Sequence, residues 1–210
     1  MASFQSDLEK QIKQAVTILK NGGVVAYPTD TVYSLGACMT DINAVDRVFQ
    51  VKGRSKGKAL PVLVADKAQI KEIVTVFPAA AQRLADEFFP GALTIILPKT
   101  DFVPDVITGG GKTVAFRIPN HPVALALVKG LGRPIVGTSA NLSGRPSALT
   151  AAEAQAQIGD KIDMVIDGGR CPGGIESTII DLSGERPVIR RQGAISIERL
   201  RKILPDIVTA

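Results

Sequence analysis

An α/β fold, an open mixed sheet covered by helices, is what this sequence predicts, on two observations. Short buried apolar runs alternate with amphipathic helical stretches along the whole length, with no repeat and no long linker. Some of those runs, such as Thr178–Leu182 and Val188–Ile189, follow each other too closely for a helical crossover, so part of the pairing must be antiparallel. The length of 210 residues favours a single domain, 1–210.

The elements follow in order. Ser6 and Glu9 read as a capping box, and Leu8, Ile12, Val16 and Leu19 recur at helical spacing until Asn21-Gly22-Gly23 stops them. Val24–Tyr27 is a short buried strand ended by Pro28. Asp41 caps a helix over Ile42–Val51, where Val45, Val48 and Phe49 share a face. Pro61–Val64 is a strand, Asp66 starts a short helix, and Ala79–Phe88 forms a longer one before the break at Pro90-Gly91. Leu93–Leu97 and Val114–Ile118 are strands. Pro122 suits the first turn of a helix to about Leu131. Ile135-Val136 is a strand, Thr150 and Glu153 make a second capping box, and Val165-Ile166, Thr178–Leu182 and Val188-Ile189 are further strands. Ser196 caps a last helix.

Composition excludes several classes. Aromatics are 4% with no Trp, too few for a base-stacking platform. Two distant cysteines, Cys38 and Cys171, and one histidine, His121, give neither a disulfide framework nor metal-ligand spacing, and suit a reducing cytoplasm. No apolar run is long enough to span a membrane, and the polar N-terminus does not resemble a signal peptide. The net charge of +5 suits phosphate-bearing ligands or a passing nucleic-acid encounter, and equally a solvated basic surface.

Four stretches are polar and mostly rich in glycine. Pro28–Gly36 (PTDTVYSLG) follows a buried strand, where ligands of α/β folds sit. Lys52–Lys58 (KGRSKGK) packs four cations, Lys52, Arg54, Lys56 and Lys58, around two glycines, and a polyphosphate would relieve their repulsion. Gly137–Ser147 (GTSANLSGRPS) joins small residues, which admit an oxyanion to backbone N–H groups, with Ser and Asn side chains. Cys171–Asp181 (CPGGIESTIID) turns at Pro-Gly-Gly into a strand. Read singly, each also suits a turn or a solvated loop. Gly111-Lys112-Thr113 mimics a phosphate loop, but Val106 stands where its first Gly belongs. Asn141 stands where a nucleophile elbow ends in Gly, and His121, between Asn120 and Pro122, is a poor catalytic partner. Covalent catalysis through Ser or Cys is not expected.

Taken together, PTDTVYSLG, FPGALTIILP, FRIPNHP, SANLSGRPS, GGIESTIID and RRQGAIS, in that order, resemble the YrdC/TsaC family of threonylcarbamoyl-AMP synthases from about Leu8 to Leu204. The family's Lys-x-Arg and Ser-x-Asn signatures stand as Lys52-Gly-Arg54 and Ser139-Ala-Asn141, the implied catalytic group. The resemblance implies a twisted, mostly parallel sheet with a concave basic cleft. It also implies that L-threonine and bicarbonate give an N-carboxylate that attacks the α-phosphate of ATP. Pyrophosphate leaves, and the threonylcarbamoyl adenylate passes to partner proteins that modify tRNA. Thr31, Arg117 and Ser177 fall at threonine contacts, with Arg117 on the carboxylate. Arg54, Lys58, Thr113, Ser139, Ser147 and Arg191 fall at ATP contacts, with Mg²⁺ as the nucleotide's counterion. Three departures stand out: Ser34 for the usual glycine, Leu63 where some members place histidine, and Lys58-Ala59 for Asn-Pro. The chain resembles the family's short form. A non-catalytic relative that binds double-stranded RNA or tRNA, or acts in ribosome maturation, is the competing expectation.

Overall fold

The computed structural model describes residues 2–209. Helix α1 (Ala2–Lys20) leads into strands β1 (Val25–Tyr27) and β2 (Ser34–Cys38), and α2 (Ile42–Lys52) precedes β3 (Val62–Leu63). Helices α3 (Lys67–Ile73) and α4 (Ala79–Phe88) stand before β4 (Leu93–Pro98), and α5 (Asp105–Thr108) before β5 (Thr113–Arg117). Then come α6 (Pro122–Leu131), β6 (Ile135–Ser139), α7 (Ala151–Ile158), β7 (Met164–Val165), β8 (Thr178–Asp181), β9 (Val188–Arg191), α8 (Ile197–Arg201) and β10 (Val208–Thr209). Among the described residues no helix is long and apolar enough to cross a membrane.

Among the described residues, all ten strands join one sheet in the order β10-β9-β8-β4-β5-β3-β6-β2-β1-β7. Four pairings are parallel and five antiparallel, so the sheet is mixed as expected, with parallel pairing less dominant than the resemblance implied. Side chains alternate across each strand, and this alternation builds both faces. Leu93, Ile95 and Leu97, Val114 and Phe116, Val62 and Val136 enter the main core on one face. On the other face, α1 and α6 cover one end of the sheet, where Leu19, Val25, Tyr27, Val123, Leu127 and Ile135 form a second core. They do not reach the β5-β4-β8-β9 end. Thr94, Ile96, Ala115, Arg117, Ser177 and Ile179 therefore face an open cleft.

Local signals place the ends of α2 with functional effect. Asp41 accepts the Ala44 N–H at 3.0 Å, and Gly53 (φ 57°) closes the helix in the left-handed conformation that glycine adopts freely. Lys52 thus sits in the last turn and Arg54 in the loop beyond. Thr150, Ser196 and Asp66 cap as expected, and Pro122 opens α6.

Several expectations are corrected. Ser6 lies inside α1, not at its cap, because no helix breaker stands between Ala2 and Ser6. Ser34–Gly36, read as the end of a ligand loop, belong to a strand, Ser34–Cys38, paired on both edges with β1 and β6. All five of its residues are buried, so it shows no alternation. The short elements α5 and β10 carry no periodicity and are added by the structure.

Candidate active site

The open face forms a cleft of about 280 Å³. Its walls include Thr31, Arg54, Arg117, Ser139, Ser177 and Arg191, six of the residues singled out in the sequence. A second chamber of about 210 Å³ is lined by Lys52, Arg54, Lys58, Ser139, Asn141, Ser143 and Gly144, among others. Arg54 and Ser139 line both, so the chambers meet at these two side chains.

Arg117 is the hub of the first chamber. On β5 it is 5% exposed. Its Nη1 donates to Asp30 Oδ2 and to Gly91 O, each at 3.3 Å. Its Nη2 donates to Thr29 Oγ1 at 3.2 Å and Thr31 Oγ1 at 3.1 Å. Asp30 also accepts the Asn120 N–H at 3.1 Å. One guanidinium therefore ties PTDT, FPG and FRIPN into a single wall, which explains why motifs so far apart in sequence form one site. Burial pulls the Arg117 pKa down and the Asp30 carboxylate opposes it. Gly173 lies flat on this loop, since a Cβ there would stand 2.5 Å from Asp30 O.

The cations of KGRSKGK divide. Lys52 is 3% exposed. Its Nζ donates to Ser139 O, to Asn141 O at 2.8 Å and to Asn141 Oδ1 at 3.1 Å. Asn141 Nδ2 in turn donates to Leu142 O and Arg145 O. The Lys-x-Arg and Ser-x-Asn signatures thus meet through Lys52 and Asn141, whose polar atoms hold the 139–145 loop in place. Both belong to the catalytic group that the resemblance implies; they line the second chamber and also hold its loop together. Burial, then the neighbouring Arg54 charge, pushes the Lys52 pKa down to about 8. Lys56 leaves the cluster for Asp46, at 2.8 Å. Arg54 folds its own loop by donating to Ala59 O at 2.9 Å, and faces both chambers.

The far wall comes from β8, β9 and the turn beyond. Arg191 donates through Nε and Nη2 to Ser177 O, at 3.1 and 2.8 Å, and through Nη2 to Ser177 Oγ at 3.3 Å. Ser177 Oγ lies 2.8 Å from Thr94 Oγ1. Thr178 Oγ1 accepts the N–H groups of Gly193 and Ile195 at 2.9 and 3.0 Å, which docks RRQGAIS onto GGIEST. Burial lowers the Arg191 pKa; Glu176 raises it and Arg117 and Arg54 lower it, so these guanidiniums feel one another across a cleft that Arg190 also lines. Glu176 is the one acid among the residues lining the two chambers.

Two expected contacts stand further out. Ser147 lines a neighbouring groove and reaches the cleft through a 2.5 Å hydrogen bond to Glu176. Thr113, half-buried, lies at the start of β5 on the face of Ala115 and Arg117, beyond the residues that line the cleft. The carboxylate of PTDTVYSLG, Asp30, was read as able to hold a small polar substrate; in the fold it is engaged by Arg117 and the Asn120 N–H. Sequence reasoning gave no role to Thr94, Glu176 or Gly193. All three lie inside quoted motifs, but only the fold shows their partners.

Gly193 supplies a direct test of this wall. A Cβ there would stand 2.2 Å from Glu176 O and 2.6 Å from Ser177 O. Gly193→Ala is expected to destabilise the chain by about 1–3 kcal/mol, as overpacking does. A chemical denaturation midpoint equal to that of the unaltered protein would contradict this packing.

A family model named Sua5/YciO/YrdC, and described as "Telomere recombination", matches residues 17–193. The threonylcarbamoyl-AMP synthase of Pyrococcus abyssi is 43% identical over 95% of this chain and 58% of its own length. That of Bacillus subtilis is 40% identical over 95% of this chain and 58% of its own length. The chain thus spans little more than half the length of these relatives. The crystal structure of P. abyssi Sua5 complexed with L-threonine superposes with a TM-score of 0.93 at 42% identity, covering 95% of this chain and 58% of that one.

Proposed function

The chain belongs to the Sua5/YciO/YrdC family, and we propose that it is a threonylcarbamoyl-AMP synthase, a nucleotidyltransferase that makes threonylcarbamoyl adenylate and pyrophosphate from L-threonine, bicarbonate and ATP. One observation carries the reading: a chamber walled by Thr31, Arg117 and Ser177 opens into a chamber walled by Lys52, Arg54, Lys58 and Ser139, with Arg54 and Ser139 common to both. Two anions bound in the two chambers would meet at the shared side chains.

The chemistry needs no enzyme nucleophile. The N-carboxylate oxygen of carboxylated threonine forms a bond to the α-phosphorus of ATP. The bond from that phosphorus to the bridging oxygen breaks, and pyrophosphate carries away the electron pair. What the protein supplies is alignment of two anions that repel each other and fixed positive charge where negative charge builds up. Arg54, at the junction, answers the phosphate; Ser139 is held by Lys52 through its carbonyl. Thr31 and Ser177, already hydrogen-bonded within the wall, offer hydroxyls to the amino acid, and Arg117 supplies the charge for its carboxylate.

Mg²⁺ would arrive as the counterion of the triphosphate. Among the described residues no three His, Cys, Asp or Glu side chains converge, and Glu176 is engaged with Ser147. The donor set therefore does not fit a protein-held divalent ion, and no step is routed through one. Residence in the cytoplasm, and delivery of the adenylate to tRNA through partner proteins, belong to the same proposal.

Pyrophosphate release measured with ATP and bicarbonate, and each amino acid in turn, tests the reading. Release that requires threonine supports it. Salt-sensitive binding of double-stranded RNA with no pyrophosphate release from any amino acid would replace it with a non-catalytic role. Within this assay Arg54→Ala is expected to lose about tenfold in rate by removing charge at the junction. An undiminished rate would remove Arg54 from the proposed site.

A further inference from the structure

We propose that Arg190 is a phosphate-binding residue of the cleft, one that holds the outer phosphates of ATP and the pyrophosphate they become; the inference rests on the reading that a nucleoside triphosphate occupies the cleft. Along the β8–β9 ladder Ile179 pairs with Arg191, Ile180 with Ile189 and Asp181 with Val188. Arg190 is left over between two pairs, one residue extra in β9 and so a β-bulge. In a regular strand Ile189 and Arg191, two residues apart, would share a face. Here Ile189 enters the main core and Arg191 lines the cleft on the other side of the sheet. The extra residue makes that switch, and it brings Arg190 to the cleft beside Arg191, where alternation would have turned it away.

Once there, the guanidinium is fixed in direction. Arg190 donates through Nε and Nη2 to Asp181 Oδ2, at 3.1 and 2.8 Å. Asp181 Oδ1 accepts the N–H and the hydroxyl of Ser183, at 3.0 and 2.6 Å. Two of the five N–H groups of Arg190 thus go to Asp181, and three are left for a ligand. As a plain ion pair this contact would add little stability, because the Arg190 side chain is 52% exposed. That is too little to account for a break in the ladder. An anion in the cleft accounts for it, and the position says which part of the anion. Strand β5 ends at Arg117 and β8 begins just after Ser177, the groups placed for threonine. Asp181 lies at the opposite end of β8, in one row across the sheet with Ile96 and Ala115 of the cleft floor. Displacement at the α-phosphorus is in line, so pyrophosphate leaves on the side away from the attacking carboxylate. Arg190 stands at that end, where the departing negative charge collects.

The test is calorimetric titration, at one ionic strength, of the unaltered protein, Arg190→Ala and Arg186→Ala with ATP, AMP and L-threonine. Arg186, exposed in the turn between β8 and β9, carries the same charge away from the cleft. Arg190→Ala is expected to weaken ATP binding at least about tenfold, the scale of a hydrogen bond to a charged group, and to leave AMP and threonine unchanged. Arg186→Ala should bind all three as the unaltered protein does. ATP bound as tightly by Arg190→Ala as by the unaltered protein would overturn the role of Arg190 while leaving the synthase reading intact. So would an equal loss for ATP and AMP, which would place the residue away from the outer phosphates, and an equal loss in Arg186→Ala, which would reduce the effect to net charge. Failure of the unaltered protein to bind ATP at all would overturn the synthase reading itself and the role of Arg190 with it.

Discussion

Lys52→Ala is expected to lower threonine-dependent pyrophosphate release roughly a hundredfold or more, because its ammonium anchors the loop that carries Ser139 and Asn141. Its three acceptors are Ser139 O, Asn141 O and Asn141 Oδ1. Truncation leaves them buried without a donor and frees the loop that carries Ser139 into both chambers. A direct phosphate contact and a loop anchor predict different patterns. Loss of a contact weakens nucleotide binding alone. Loss of the anchor also lowers stability and moves Ser139 away from the junction, so kcat falls with affinity. Lys52→Ala with an unchanged melting temperature and unchanged kcat would show that the tether is not what the residue provides.

The same tether predicts a pH dependence with two opposite signs. The Lys52 pKa is pushed down to about 8 from its ordinary 10.5, so the folded chain gives up this proton first. Between those values the unfolded chain holds more protons, and this group alone makes stability rise with pH across that window. Below the window the buried charge costs stability in full. Activity should run the other way, because the neutral amine has two N–H groups for three acceptors, and the 139–145 loop loosens as pH rises through 8. A rate that falls above pH 8 while this group's contribution to stability rises is the expected signature. A nucleotide in the second chamber would raise the Lys52 pKa and be accompanied by proton uptake near that pH.

How much of this was legible before the fold was known depended on the kind of signal. Helix caps at Asp41, Asp66, Thr150 and Ser196 are local chemistry, readable from a few residues, and each stands where expected. Strand β2 was hidden because a strand covered on both faces lacks the period-two pattern that marks a half-buried one, and Ser34 and Gly36 made it read as loop. The candidate ligand stretches were legible as polar, mostly glycine-rich segments after apolar runs. Their division of labour was not, because it is set by pairs far apart in sequence: Lys52 with Asn141, Arg117 with Asp30, Ser147 with Glu176. Lys56 shows the limit most plainly. Its charge belongs to the cluster by position, and only α2, which carries Asp46 beside it, removes it from the site.

Arg117→Ala separates the two things that this arginine does. Its ion pair with Asp30 is buried, with side-chain exposures of 6% and 13%. Removing one member of such a pair leaves an uncompensated charge and typically costs about 3–5 kcal/mol, so a large fall in stability is expected. Threonine affinity should also fall by at least about tenfold, since the charge available to its carboxylate goes too. The double variant Asp30→Ala/Arg117→Ala distinguishes the causes. Without the orphan carboxylate part of the lost stability should return, because the uncompensated charge is gone while the cavity and the former partners of both side chains remain. Threonine affinity should not return, because no cation replaces Arg117. Calorimetry on the double variant showing threonine bound as tightly as by the unaltered protein would reduce Arg117 to a strut for the Thr29–Thr31 loop and move the carboxylate site elsewhere in the cleft. Affinity that stays low while stability recovers in part would place the substrate charge on the guanidinium itself.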